Sequence, residues 1–166
     1  MLKFRVLEVI FYILAIYLIS ISPILLLELK PKNLNLANIE EKMARIVSEL
    51  GTDPRSIPPP NLIRVIKWSE FKQLDFSTYR ESTRQDIRKL IQTFTMWTFF
   101  RFKALRGIYI SESRDIYLIS EYAEDDTLIH ELTHHVINMA IRGADWKKTV
   151  DNDEEITREV TARLKV

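Results

Sequence analysis

The chain has 166 residues, 46% of them hydrophobic and 28% charged, with a formal net charge of +1. That length suits one domain better than two, and the near-neutral balance excludes a basic nucleic-acid binder and a disordered chain. Cysteine is absent, which excludes a disulfide framework and any thiolate metal site.

Residues 9–27 read VIFYILAIYLISISPILLL and carry no charge. As a helix this run spans roughly 28 Å, close to the hydrocarbon thickness of a bilayer. A buried core helix and a cleaved signal peptide are the rivals. Ser20-Ile21-Ser22 is the one small-x-small cleavage candidate, and Pro23 follows it directly. The expectation is therefore an uncleaved, single-pass membrane anchor over residues 1–30, with the lipid bilayer as partner through 9–27. Lys3 and Arg5 lie before the run and Lys30, Lys32, Lys42 and Arg45 after it. With the terminal amine added to the first group, the two sides nearly balance and the positive-inside rule does not decide the orientation; the expectation is a following domain outside the cytoplasm.

Ile39, Met43, Ile46, Val47 and Leu50 repeat at helical spacing, with Gly51 as a stop, which predicts a helix over 38–50. Pro58, Pro59 and Pro60 then favour a stiff, extended connection. Residues 31–60 thus read as a juxtamembrane helix and Pro-rich linker. The β-branched stretch 61–68, NLIRVIKW, predicts a strand. Ile87, Leu90, Ile91, Phe94, Trp97, Phe102 and Leu105 predict a long helix over 82–105, capped by Gly107. Its aromatic stripe, which includes Phe99 and Phe100, reads as core. Two apolar runs flank a polar turn in 107–119, GIYISESRDIYLI, and predict a hairpin.

Residues 125–142 follow a helical pattern through Leu128, Ile129, Leu132, Val136, Ile137 and Ala140, with Asp125 and Asp126 at the start and Gly143 past the end. Within this stretch lies His130-Glu131-Leu132-Thr133-His134, an HExxH pattern. Residues four apart on a helix sit one turn apart and about 40° round the axis. His130 and His134 can therefore each give one imidazole nitrogen to a single zinc ion, which accepts them at about 2.0–2.1 Å. Glu131 then lies beside the metal, where its carboxylate can take a proton from a zinc-activated water. The bland alternative is a solvated helix face that happens to carry two histidines.

A catalytic zinc site normally has three protein ligands and an open position. All three histidines of the chain lie within 130–135 and there is no Cys, so the third ligand must be a carboxylate. Wound as a helix, 150–164 (VDNDEEITREVTARL) places Val150, Thr157, Val160, Thr161 and Leu164 on one side, with Glu154 at its edge. Glu155 falls opposite, with Arg158 and Glu159. Glu154 is preferred as the ligand, with Glu155 as the alternative. An exposed carboxylate near a helix start is the bland reading of either.

HELTH followed twenty residues later by Glu-x-x-small resembles the gluzincins, the group that includes thermolysin and the zinc aminopeptidases, over about residues 105–164. In that family a Glu on a later helix completes the zinc site, and Glu154 with Thr157 matches that pattern. The short domain is similar to the minigluzincins. The resemblance implies an α+β fold: after the transmembrane helix, a zincin-like domain over 61–166 with a short sheet and hairpin, a backing helix, the HExxH helix and a C-terminal glutamate helix. It also implies that an extended peptide pairs with an edge strand before the active helix, which by position is 115–120.

Two departures stand out. Thermolysin-like members place an Asp one turn beyond the glutamate ligand to support a zinc histidine, and here that position is Arg158. Support must come from elsewhere, with Asp145, Asp151 and Asp153 as candidates. The chain also lacks room for the subdomain that carries the oxyanion-stabilising groups, and Tyr109, Tyr117 and Tyr122 read as packing residues. His135 faces about 100° away from His134 and reads as a supporting or surface residue.

The functional expectation is a membrane-anchored zinc metallopeptidase acting on peptide or protein substrates. His130, His134 and Glu154 hold Zn2+, Glu131 is the general base, and no nucleic acid is involved. The alternatives are a non-catalytic or latent zinc-binding module, plugged by 31–60 or by Lys165-Val166, and a small membrane subunit whose N-terminal helix is the functional part.

Overall fold

In a computed structural model of the chain, residues 10, 12, 34–53, 57–99, 104–141 and 152–164 are described. Among them the chain forms five helices and one three-stranded sheet. In order these are α1 (Ile39–Leu50), β1 (Leu62–Ile66), α2 (Trp68–Phe71), α3 (Glu81–Phe99), β2 (Gly107–Ile110), β3 (Asp115–Ile119), α4 (Asp125–Ile141) and α5 (Asp153–Leu164).

The α+β expectation therefore loses its transmembrane element. No helix among the described residues is long and apolar enough to cross a membrane. The longest, α3, has 19 residues but carries Glu81, Arg84, Asp86, Arg88 and Lys89, charges that a bilayer core admits only at high cost. The apolar run 9–27 lies outside the described residues apart from Ile10 and Tyr12. The single-pass membrane placement, and the extracytoplasmic side that went with it, are corrected on the same ground.

The sheet order is β1-β3-β2, with β1 parallel and β2 antiparallel to β3. Because β3 is central, successive side chains enter opposite cores. Ile116 and Leu118 join Met43, Ile46 and Val47 of α1, Leu128, Leu132 and Val136 of α4, and Val160 of α5. Tyr117 and Ile119 join Phe71 of α2 and Ile87 of α3. The result is three layers, with α1, α4 and α5 on one face of the sheet and α2 and α3 on the other. Leu118 and Leu132 are fully buried, and each such side chain contributes about 1.5–3 kcal/mol by leaving water.

The described residues of the expected juxtamembrane stretch, 34–53 and 57–60, contribute to this core. Helix α1 buries Met43, Ile46 and Val47 and ends at Gly51, whose φ of 64° is the left-handed cap that the sequence predicts. Ile57 is buried in the same cluster. Strand β1 is shorter than expected because Trp68 opens the short helix α2, where both Glu121 carboxylate oxygens accept its N–H at 3.1 Å. The described part of α3 ends at Phe99, and Gly107 opens β2 instead of capping that helix. The side chains of Trp97, Phe99, Phe100 and Phe102 lie outside what is described, whereas Phe94 packs on the second core. The α3 start is capped from the hairpin turn: Glu112 accepts the Arg80 N–H at 3.0 Å and the Thr83 hydroxyl at 2.8 Å.

Candidate metal centre

Helix α4 runs through the main core, with Leu128, Leu132 and Val136 fully buried. That seating turns His130 and His134 towards α5. Their rings meet edge to face, with centroids 4.7 Å apart and the two Nε2 atoms 3.1 Å apart. Glu154, in the first turn of α5, brings Oε2 to 3.4 Å from His134 Nε2 and 3.7 Å from His130 Nε2. The ligand atoms of the three residues all lie within 4.8 Å of one another. Donors arranged tetrahedrally at 2.0–2.1 Å from one ion are about 3.3 Å apart, so the three spacings fit a shared cation. Two imidazoles and a carboxylate suit zinc and other first-row divalent ions alike.

The second nitrogen of His134 is also held. Its Nδ1 lies 3.0 Å from Asp153 Oδ2. A carboxylate only accepts, so Nδ1 carries the proton and the Nε2 lone pair is left facing His130 and Glu154. The fully buried Thr157 hydroxyl lies 3.3 Å from this same Nδ1 and donates to Asp153 Oδ1 at 3.3 Å. The histidine support thus comes from the residue before the glutamate, while Arg158 donates from Nε to Glu154 Oε1 at 2.9 Å. Glu155 is exposed and makes none of these contacts. Asp145 and Asp151 lie outside the described residues.

Burial is the largest influence on His134 and alone would lower its pKa. The Asp153 hydrogen bond and the charges of Glu131, Asp153 and Glu154 outweigh it and hold the imidazole above its ordinary range. His130 moves the other way, because burial and the neighbouring His134 charge disfavour its protonated form.

Glu131 is 6% exposed. Burial pushes its carboxyl up to about 7, against the opposing pull of the His134 charge and of the Tyr109 backbone N–H that it accepts. Strand β2 passes close over it. A Cβ on Gly107 would sit 2.8 Å from Glu131 Oε1, 2.9 Å from its Cγ and 2.9 Å from Thr127 Cγ2. A side chain at position 107 would therefore force Glu131 and Thr127 to shift, a role hidden by the position of Gly107 just after a helical pattern.

Two further expectations change, and the reading of the tyrosines as packing residues stands. His135 is not a surface residue: it is fully buried, its Nε2 lies 2.7 Å from the Pro58 carbonyl and its Nδ1 3.3 Å from the Tyr109 hydroxyl. A carbonyl only accepts, so Nε2 is the protonated nitrogen and the Tyr109 hydroxyl donates to Nδ1. The strand expected at an edge, β3, is paired on both sides, and the edge strand that meets α4 at Glu131 is β2. The phenols of Tyr109, Tyr117 and Tyr122 pack in the two cores, and burial pushes Tyr117 up to about 12.

No family model, curated protein or solved structure matches the chain. Fold and site together define a small α+β protein in which His130, His134 and Glu154 form a group that could hold a metal ion.

Proposed function

We propose that the chain is a zinc-dependent peptidase of gluzincin type. The observation that carries this reading is the convergence of His130, His134 and Glu154 within 4.8 Å, with the buried carboxylate of Glu131 between the two histidines in sequence and beside them in space. A zinc ion held there would act as a Lewis acid that lowers the pKa of water towards neutrality. Glu131 supplies the proton transfer: it takes a proton from the attacking water and returns it to the leaving amine. Its burial raises its proton affinity towards the range useful at neutral pH, and a cation alongside pulls in the opposite direction.

An extended peptide would pair with the outer edge of β2, since β3 is enclosed. Backbone pairing of this kind gives affinity with little sequence preference. The test is Glu131→Gln in a digest of extended peptides, with zinc measured alongside. Hydrolysis is expected to fall by about 100- to 10,000-fold, with zinc still bound. Unchanged turnover in this variant would sink the proposal.

A second reading is a zinc-binding module without turnover. It is favoured by one observation: Tyr109, Tyr117 and Tyr122 are packed in the cores, so none of these phenols is placed to stabilise an oxyanion. Zinc uptake without hydrolysis of any peptide would select it.

A further inference from the structure

The two oxygens of Glu154 have different surroundings. Oε2 faces the histidine nitrogens at 3.4 and 3.7 Å, whereas Oε1 accepts the Nε–H of Arg158 at 2.9 Å. Arg158 stands one turn further along α5, so the pair is an i,i+4 contact. Its side chains are 72% and 53% exposed, and an ion pair so exposed adds little to the stability of a fold. Its consequence is directional. A donor held on Oε1 occupies that oxygen and leaves Oε2 as the one turned to the histidines.

That direction matters to a metal ion. A carboxylate with both oxygens free can ligate through one or through both, and the second mode fills the position that a catalytic zinc site leaves open. With Oε1 engaged by Arg158, only Oε2 is presented to His130 and His134. We propose that Arg158 is a positioning residue that restricts Glu154 to single-oxygen ligation and so keeps one coordination position open. The proposal rests on the metal-binding reading above and assigns Arg158 no contact with substrate. It also gives position 158 a purpose: the histidine support has moved to Asp153, and the residue one turn past the glutamate serves the carboxylate instead.

The experiment compares the 1–166 chain with Arg158→Ala, Arg158→Lys and Arg163→Ala. Arg163 is a second exposed arginine on α5, paired with Glu49 and Glu159. Each protein is loaded with cobalt(II), whose visible bands distinguish four from five ligands, and zinc affinity is measured by competition with a chelator. Arg158→Ala is expected to move the bands towards five-coordination and to weaken zinc binding by about tenfold, the lower end of what loss of an outer-shell partner costs. Arg158→Lys, which keeps a donor, should return the wild-type spectrum, and Arg163→Ala should change neither readout.

Coincident spectra for Arg158→Ala and wild type overturn the assignment, whether or not affinity changes, because a change in affinity alone reports charge and not coordination. An equal shift in Arg163→Ala overturns it as well. If the wild-type chain takes up neither cobalt nor zinc, the metal reading fails first and this inference falls with it. Uptake by wild type with identical Arg158→Ala behaviour removes the inference alone.

Discussion

Helices α4 and α5 both feed the candidate metal centre, and they hold their contributions in opposite ways. Helix α4 is wedged between the sheet, α1 and α5, so His130, Glu131 and His134 project from a backbone fixed by fully buried Leu128, Leu132 and Val136. Helix α5 buries only Thr157 and Val160, and Glu154 is half-exposed. One half of the site is positioned by apolar packing and the other by polar contacts: Asp153 and Thr157 to His134, and Arg158 to Glu154. A ligand on the packed helix is preorganised whether or not a metal is present, whereas a ligand on the exposed helix depends on neighbours that water competes for.

The sharpest way to break this comparison is to remove ligands one at a time. His134→Ala takes away a donor and leaves Asp153 with Thr157 alone, so zinc affinity should fall by more than the roughly 100-fold upper cost of losing an outer-shell group. Glu154→Ala should also release zinc, and Glu155→Ala should retain it at wild-type stoichiometry. Metal analysis of the three purified variants checks this ordering. Zinc lost only from Glu155→Ala would place the third ligand on the other side of α5.

A smaller effect concerns the buried half alone. Glu131 gives up its proton near 4.5 when unfolded and near 7 when folded, so folding binds a proton between these values. Its contribution to stability is fully present below about pH 4.5 and is lost as pH rises through about 7. The shift is worth roughly 3 kcal/mol at most. His134, also raised, adds a loss of the same sign as pH rises above its ordinary 6.5. The depressed His130 opposes it, contributing stability above 6.5 that is lost as pH falls. Glu131→Gln isolates the carboxylate, because the amide is neutral throughout. With chelator present, the variant should match wild type at pH 4.5 and be the more stable of the two at pH 8 in thermal or urea unfolding. Parallel stability curves would show that Glu131 is ionised and compensated in the fold.

The two helices also differ in how far the sequence discloses them. The 3.6-residue repeat of Leu128, Leu132 and Val136 marks α4 and fixes which way its histidines point. The same periodicity puts Glu154 at the edge of the buried side of α5, where the fold brings it to the histidines. The hairpin is legible because a polar turn separates two apolar runs. What does not show is everything that depends on distant pairing. The parallel match of Leu62–Ile66 with Asp115–Ile119 encloses β3 and leaves β2 at the edge, and no local pattern encodes which strand lies between the others. Gly107 illustrates the same limit. Its position after an apolar helical stretch suggests a cap, yet its lack of a side chain serves the contact with Glu131 and Thr127, twenty or more residues away. Asp153 is one of three candidate supports by residue type, and only the docking of α5 against α4 brings it to His134.

The gentlest probe falls on that docking contact. In Asp153→Asn the charge is lost but a carbonyl oxygen remains to accept from His134 Nδ1, so the favoured tautomer survives while the imidazole becomes a weaker electron donor. Zinc affinity should drop by about tenfold, the low end of outer-shell losses, and the fold should be unaffected because the half-buried side chain belongs to neither core. Asp153→Ala should cost more, since nothing then fixes which nitrogen of His134 is protonated. Competition titrations with a zinc chelator measure both. If the two variants bind zinc as tightly as wild type, packing on α4 alone orients His134, and the polar half of the site contributes only Glu154.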